Sequence, residues 1–145
     1  MLSVFLEGSK MSVRIIICED SGVIQKLLKN VLEKEKDFEI VGTATDGEDA
    51  YNKIVSLKPD VALMDHRMPK MFGLEVAKKI MSTEPVSIIM ITSAEPFETI
   101  KAEALKVGVM SVIEKPKQLD FSAIARKLIT EIKVFSKTKP AKKTF

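Results

Sequence analysis

Five side chains scattered along this sequence make chemical sense only as a set. Glu19 and Asp20 follow the run Val13-Arg14-Ile15-Ile16-Ile17-Cys18. Asp65 follows Val61-Ala62-Leu63-Met64, Ser93 follows Ile88-Ile89-Met90-Ile91-Thr92, and Lys115 comes shortly after Val109-Met110-Ser111-Val112-Ile113. Each stands where a β-branched or apolar run stops. Three carboxylates brought together repel unless a cation neutralises them, and a hard divalent ion with oxygen ligands, Mg2+ before Mn2+, suits that task. A hydroxyl and a lone ammonium at the same place do nothing for the metal, but they suit the oxygens of a phosphoryl group. The chemistry implied is an aspartate, Asp65, that accepts phosphate with metal assistance, while Ser93 and Lys115 grip the product. Each residue alone has an ordinary explanation as a helix cap, a solvated acid or a surface charge; the set is what carries the reading.

The elements that must position these residues alternate in type. The runs 13–18, 38–44, 61–64, 86–91 and 109–113 read as strands, with the third buried on both faces. Between them the period becomes helical. Val23, Ile24, Leu27, Leu28, Val31 and Leu32 form one stripe, and Leu74, Ala77 and Met81 another, flanked by Val76 and Ile80. Asp46 is placed to cap a helix from Gly47 to about Ser56, the third helix closes before Pro85, and the fourth, about Glu98 to Val107, ends at Gly108. Asp120 is expected to cap a last helix carrying Ile124, Leu128, Ile129 and Ile132 on one face. Five strands alternating with five helices predict an α/β domain, a doubly wound parallel sheet with right-handed crossovers. In such a sheet, ligands gather at the carboxyl ends of the strands, where the five residues stand.

Composition sets bounds on the rest. The 145 residues suffice for one domain with a real core, expected over 12–135, with a flexible extension at 1–11 and a disordered basic tail at 136–145. The excess charge is local. Five of the 23 basic residues (Lys133, Lys137, Lys139, Lys142 and Lys143) lie in the last fourteen positions, and without them 18 basic residues face 20 acidic ones. The basic character therefore describes a tail rather than a nucleic-acid-binding face. The single Cys18 closes an apolar run and reads as an inert buried thiol in a reducing compartment. No apolar stretch is long enough to cross a membrane, and the first residues lack the basic start of a signal peptide, so a cytoplasmic location is expected.

The motifs Glu19-Asp20-Ser21, Met64-Asp65-x-x-Met68-Pro69-x-x-x-Gly73, Thr92-Ser93-Ala94, Gly108 and Lys115-Pro116 resemble the CheY-like receiver domains of two-component response regulators over about Ser12 to Val134. Within that family, the end of the chain is most similar to the receiver half of chemotaxis methylesterases. The resemblance implies a flavodoxin-like (βα)5 fold with strand order 2-1-3-4-5. It also implies phosphorylation of Asp65 by a histidine kinase and metal ligation by Asp20, Asp65 and the Arg67 backbone carbonyl, with Glu19 acting partly through water. The backbone amides of His66 and Ala94 join Ser93 and Lys115 on the phosphate, and the bond before Pro116 is expected to be cis. An unidentified downstream protein, and a monomeric or weakly dimeric state, complete that picture.

Three positions depart from the family pattern. Glu19 stands where Asp is commoner, adding one methylene. Val112 stands where many relatives carry an aromatic ring, which shifts the expected output surface to the fourth helix and fifth strand, reorganised through Ser93 and residues 94–99. Arg67 and Glu95 are placed to pair across the path of water to an acyl phosphate, as modulators of dephosphorylation. His66, the only histidine, should point away from Asp65. The alternatives are a receiver-like interaction module that never carries phosphate, and an aspartyl-phosphate phosphohydrolase of the haloacid dehalogenase type. The latter needs an acid where Arg67 stands. No G-x-S-x-G stretch supports serine hydrolysis, and no helix-turn-helix follows residue 135, so the chain is expected to be neither an enzyme on other substrates nor a DNA-binding protein.

Overall fold

The computed structural model describes residues 12–145, and the extension expected at 1–11 lies outside them. Its elements are β1 (Val13–Cys18), α1 (Gly22–Leu32), β2 (Phe38–Ala44), α2 (Gly47–Leu57), β3 (Val61–Met64), α3 (Gly73–Thr83), β4 (Ser87–Thr92), α4 (Phe97–Lys106), β5 (Ser111–Glu114) and α5 (Ser122–Phe135). All strand pairings are parallel and the order is β2-β1-β3-β4-β5, the flavodoxin-like arrangement expected.

The strands lack a polar face because both faces are covered. Side chains alternate across the sheet, so consecutive residues enter different cores. Ile16, Ala62, Met64, Ile88 and Met90 meet Ile54 of α2, Val76 and Ile80 of α3 and Ala104 of α4. Ile15, Ile17, Val61, Leu63, Ile89 and Ile91 meet Leu28 and Leu32 of α1 and Leu128 and Ile132 of α5. Burying a branched side chain of this size contributes about 1.5–3 kcal/mol, and these two layers are what hold the strand ends in register.

Local signals fix most boundaries. Asp46 Oδ1 accepts from the Asp49 N–H at 2.7 Å and starts α2, and Ser21 Oγ accepts from Ile24 N–H at α1. Gly108 ends the α4 turn with φ of 109°, a conformation a Cβ would strain. Two expectations change. The capping position of α5 is Phe121, while Asp120, one residue earlier, accepts the Ser122 N–H on Oδ1 at 3.1 Å. Residues 136–145 are docked rather than disordered: the Lys143 N–H donates to Met81 O at 2.8 Å, and Ser87 Oγ lies 2.7 Å from Thr138 O. Composition weighs side chains, whereas this segment is held largely through its backbone, so its Lys/Thr/Pro content gave no sign of the docking. Among the described residues, no helix is long and apolar enough to cross a membrane.

Candidate functional site

Backbone hydrogen bonds carry the ladder one step beyond the strands and place the three deepest residues at the carboxyl rim. Glu19 N–H donates to Ala44 O at 2.9 Å, Asp65 N–H to Cys18 O at 3.0 Å, and Lys115 N–H to Thr92 O at 3.0 Å. The loop after Asp65 then folds back, with Gly73 N–H donating to His66 O at 2.7 Å. A Cβ at Gly73 would run into the Asp65 carbonyl oxygen, so glycine is what lets α3 begin against the backbone of the acceptor. On the other side, Gln25 of α1 donates from Nε2 to Glu19 O at 2.6 Å and pins the acid loop. Gln25 lies between stripe residues of α1, with nothing in the sequence to connect it to a carbonyl six residues back.

Glu19, Asp20 and Asp65 each present a carboxylate oxygen, and these oxygens lie within 4.8 Å of one another. Glu19 and Asp65 are buried and Asp20 is exposed, so the cluster opens to solvent on one side. Lys115 Nζ lies 2.8 Å from Glu19 Oε1 and 2.8 Å from Asp65 Oδ2, all three side chains being 7% exposed or less. The other Asp65 oxygen accepts the His66 N–H at 2.7 Å, and Glu19 Oε2 accepts the Ser21 N–H at 3.1 Å.

Burial pushes the Glu19 carboxyl up to about 7, with Asp65 adding repulsion, even though Lys115 and the Ser21 N–H pull the other way. Burial alone would lower Lys115, but its bonds to Asp65 and Glu19 outweigh that and raise it. The lysine thus stays charged while Glu19 is poised near neutrality, short of positive charge. That deficit and the three hard oxygens fit a small divalent cation. Cys18, fully buried, has its thiol raised by desolvation and takes no part.

The remaining expectations divide. Ser93 is exposed just past β4, and its hydroxyl makes no hydrogen bond among the described residues. The Ala94 N–H, expected on phosphate, donates here to Thr92 Oγ1 at 3.1 Å. Thr92, which is fully buried, thereby orders the turn that carries Ser93, a role the sequence reading missed. The Arg67 carbonyl accepts no hydrogen bond among the described residues.

The Arg67–Glu95 ion pair does not form: both side chains are exposed and no bridge joins them among the described residues. Two long solvated side chains gain little from holding one geometry. The cis peptide lies at Glu95–Pro96, not at Lys115–Pro116; any X–Pro bond leaves the two isomers within about 1 kcal/mol, so the dipeptide alone does not choose. His66 is 8% exposed, stacks near Phe72 with centroids 5.1 Å apart, and has Nδ1 3.4 Å from the Leu74 N–H. Burial lowers its pKa. Its ring is packed against Phe72 and the start of α3. Val112 is buried in the layer facing α2, α3 and α4.

The model of the response regulator receiver domain matches residues 15–126. The chain belongs to the response regulator receiver family. The receiver is 34% identical over 131 residues to a protein-glutamate methylesterase/protein-glutamine glutaminase of Syntrophus aciditrophicus, covering 88% of this chain and 37% of that protein. It is 36% identical over 125 residues to the Thermotoga maritima protein of that name, covering 83% and 36%. The receiver therefore spans little more than a third of these curated relatives. Among solved structures, the response regulator domain of Thermotoga maritima CheB superposes with a TM-score of 0.84 at 34% identity, covering 89% of this chain and 99% of that one. The Borrelia burgdorferi CheX–CheY–BeF3–Mg2+ complex matches with a TM-score of 0.75 at 26% identity, covering 86% and 92%.

Proposed function

We propose that this receiver is a phosphorylation switch in which Asp65 takes a phosphoryl group from a histidine kinase and the modified chain changes its affinity for a downstream protein. In that step a carboxylate oxygen of Asp65 forms the bond to phosphorus, while the phosphorus–nitrogen bond of the donor breaks and its electrons return to the imidazole. Glu19, Asp20 and Asp65, with the Arg67 carbonyl, would hold Mg2+; when bound, it offsets the charge that gathers on the transferring oxygens. Lys115 is already bonded to Asp65 and moves little to meet a phosphoryl oxygen. Ser93, unbonded and next in line along the rim, would supply the hydroxyl donor, releasing the Ala94 turn from Thr92 as it swings.

The observation that carries this reading is the buried contact of one ammonium with two carboxylates, beside a third carboxylate open to solvent. Own phosphorylation and dephosphorylation are the only reactions assigned to these residues. The likeness to methylesterase receivers favours a chemotactic setting. Acetyl phosphate with Mg2+, read by intact mass, tests it: one phosphoryl group should add to the native chain and none to Asp65→Asn or to chain treated with chelator. Equal labelling of Asp65→Asn would refute it.

A further inference from the structure

The carbonyl of Met81 lies in the last turn of α3, where the amide four residues on would normally bond it. That residue is Pro85, which has no N–H. Lys143 supplies the missing donor from its backbone N–H, at 2.8 Å. The same residue lays its aliphatic stem over Gly108: a Cβ there would come within 2.9 Å of Lys143 Cε and 3.2 Å of Met81 Cγ. Earlier in the segment, the hydroxyl of Ser87, 1% exposed at the start of β4, faces Phe135 O at 2.9 Å and Thr138 O at 2.7 Å. Later, the Phe145 ring rests on the outer face of α3, with Lys78 Nζ 5.4 Å from its centroid.

Residues 136–145 thus pass the amino-terminal end of β4, at the end of the sheet opposite the acidic cluster, on their way from α5 to α3 and the α4–β5 turn. They are exposed from 141 onward and held by a handful of bonds, the profile of an element that opens at low free energy. Helix α4 lies between two constraints: the Ser93–Pro96 turn at its start and Gly108, under the Lys143 stem, at its end.

The geometry points to a latch: the segment 136–145 fastens the end of α4 to α3, and its docking opposes the rearrangement of the Ser93 side of α4 that phosphorylation requires. The coupling rests on the phosphoacceptor reading above; the fastening does not. Because linkage is reciprocal, a latch that favours one arrangement of α4 must be loosened by whatever favours the other.

Hydrogen exchange by mass spectrometry on the full chain tests the fastening. Lys143→Pro removes the donor to Met81, and Phe145→Ala, a surface change that leaves both cores intact, removes the last anchor. Amides of 105–109 should exchange roughly fivefold faster in Lys143→Pro, the equivalent of losing one backbone hydrogen bond. Unchanged exchange there, with the segment itself already unprotected in the native chain, overturns the latch. Labelling by acetyl phosphate tests the coupling: both variants should reach half-labelling at lower donor concentration, and phosphorylation of the native chain should speed exchange at Lys143. Superimposable labelling curves overturn it. Absence of label in every chain would sink the phosphoacceptor reading and the coupling with it, while exchange at 105–109 would still decide the fastening.

Discussion

Replacing Lys115 with methionine keeps the length of the side chain and removes its charge. In the native chain the ammonium touches Glu19 and Asp65 at 2.8 Å, all three side chains nearly excluded from water. Removing one partner of a buried pair leaves uncompensated charge, which typically costs about 3–5 kcal/mol. That cost should depend on pH. Glu19 already has its carboxyl raised to about 7, and without Lys115 it rises further. A raised carboxylate favours folding below its unfolded value and loses that contribution as pH rises through the folded value. Lys115→Met should therefore lose least near pH 5, where Glu19 keeps its proton and only the Asp65 contact is missed, and most above neutrality. Urea unfolding at the two pH values measures it. Mg2+ should restore much of the loss at high pH, since a divalent ion replaces the missing positive charge. An equal loss at both pH values, unmoved by Mg2+, would refute the argument that Lys115 balances the cluster.

Three other changes follow from the same geometry. Mg2+ affinity, measured by calorimetry, should tighten as pH rises through about 7, because the proton leaving Glu19 vacates a ligand oxygen; a flat profile from pH 6 to 8 would contradict this. Gln25→Ala leaves every ligand in place but frees the Glu19 backbone, and should weaken Mg2+ about tenfold, as loss of an outer partner of a metal ligand does. Gly73→Ala forces a methyl group against the Asp65 carbonyl and should cost about 1–3 kcal/mol in thermal or urea unfolding, with slower labelling by acetyl phosphate.

The layered fold was legible because two signals agreed at every step. The apolar runs at 61–64 and 88–91 are too uniform for a half-exposed strand, and the stripe between them has helical spacing. The rim residues were legible for a related reason: a chain of this type must place the ends of β1, β3 and β5 together, so Glu19, Asp65 and Lys115 could be grouped before their contacts were known. What escaped was held by groups the sequence does not mark. Gln25 and Thr92 work through a carbonyl and an amide, Met81 needs a donor only because Pro85 cannot give one, and residues 136–145 dock mainly by backbone. The Arg67–Glu95 pair failed for the opposite reason. Opposite charges at plausible spacing do not form a bond when water serves both equally well.

Borohydride treatment of the acetyl phosphate product reduces an acyl phosphate to the corresponding alcohol, marking the modified aspartate as homoserine for peptide sequencing. Homoserine at position 65 alone, formed only with Mg2+ present, is the predicted result. Homoserine at position 20, a reduced glutamate at position 19, or a phosphoryl group that resists reduction would contradict the assignment of Asp65 as the acceptor.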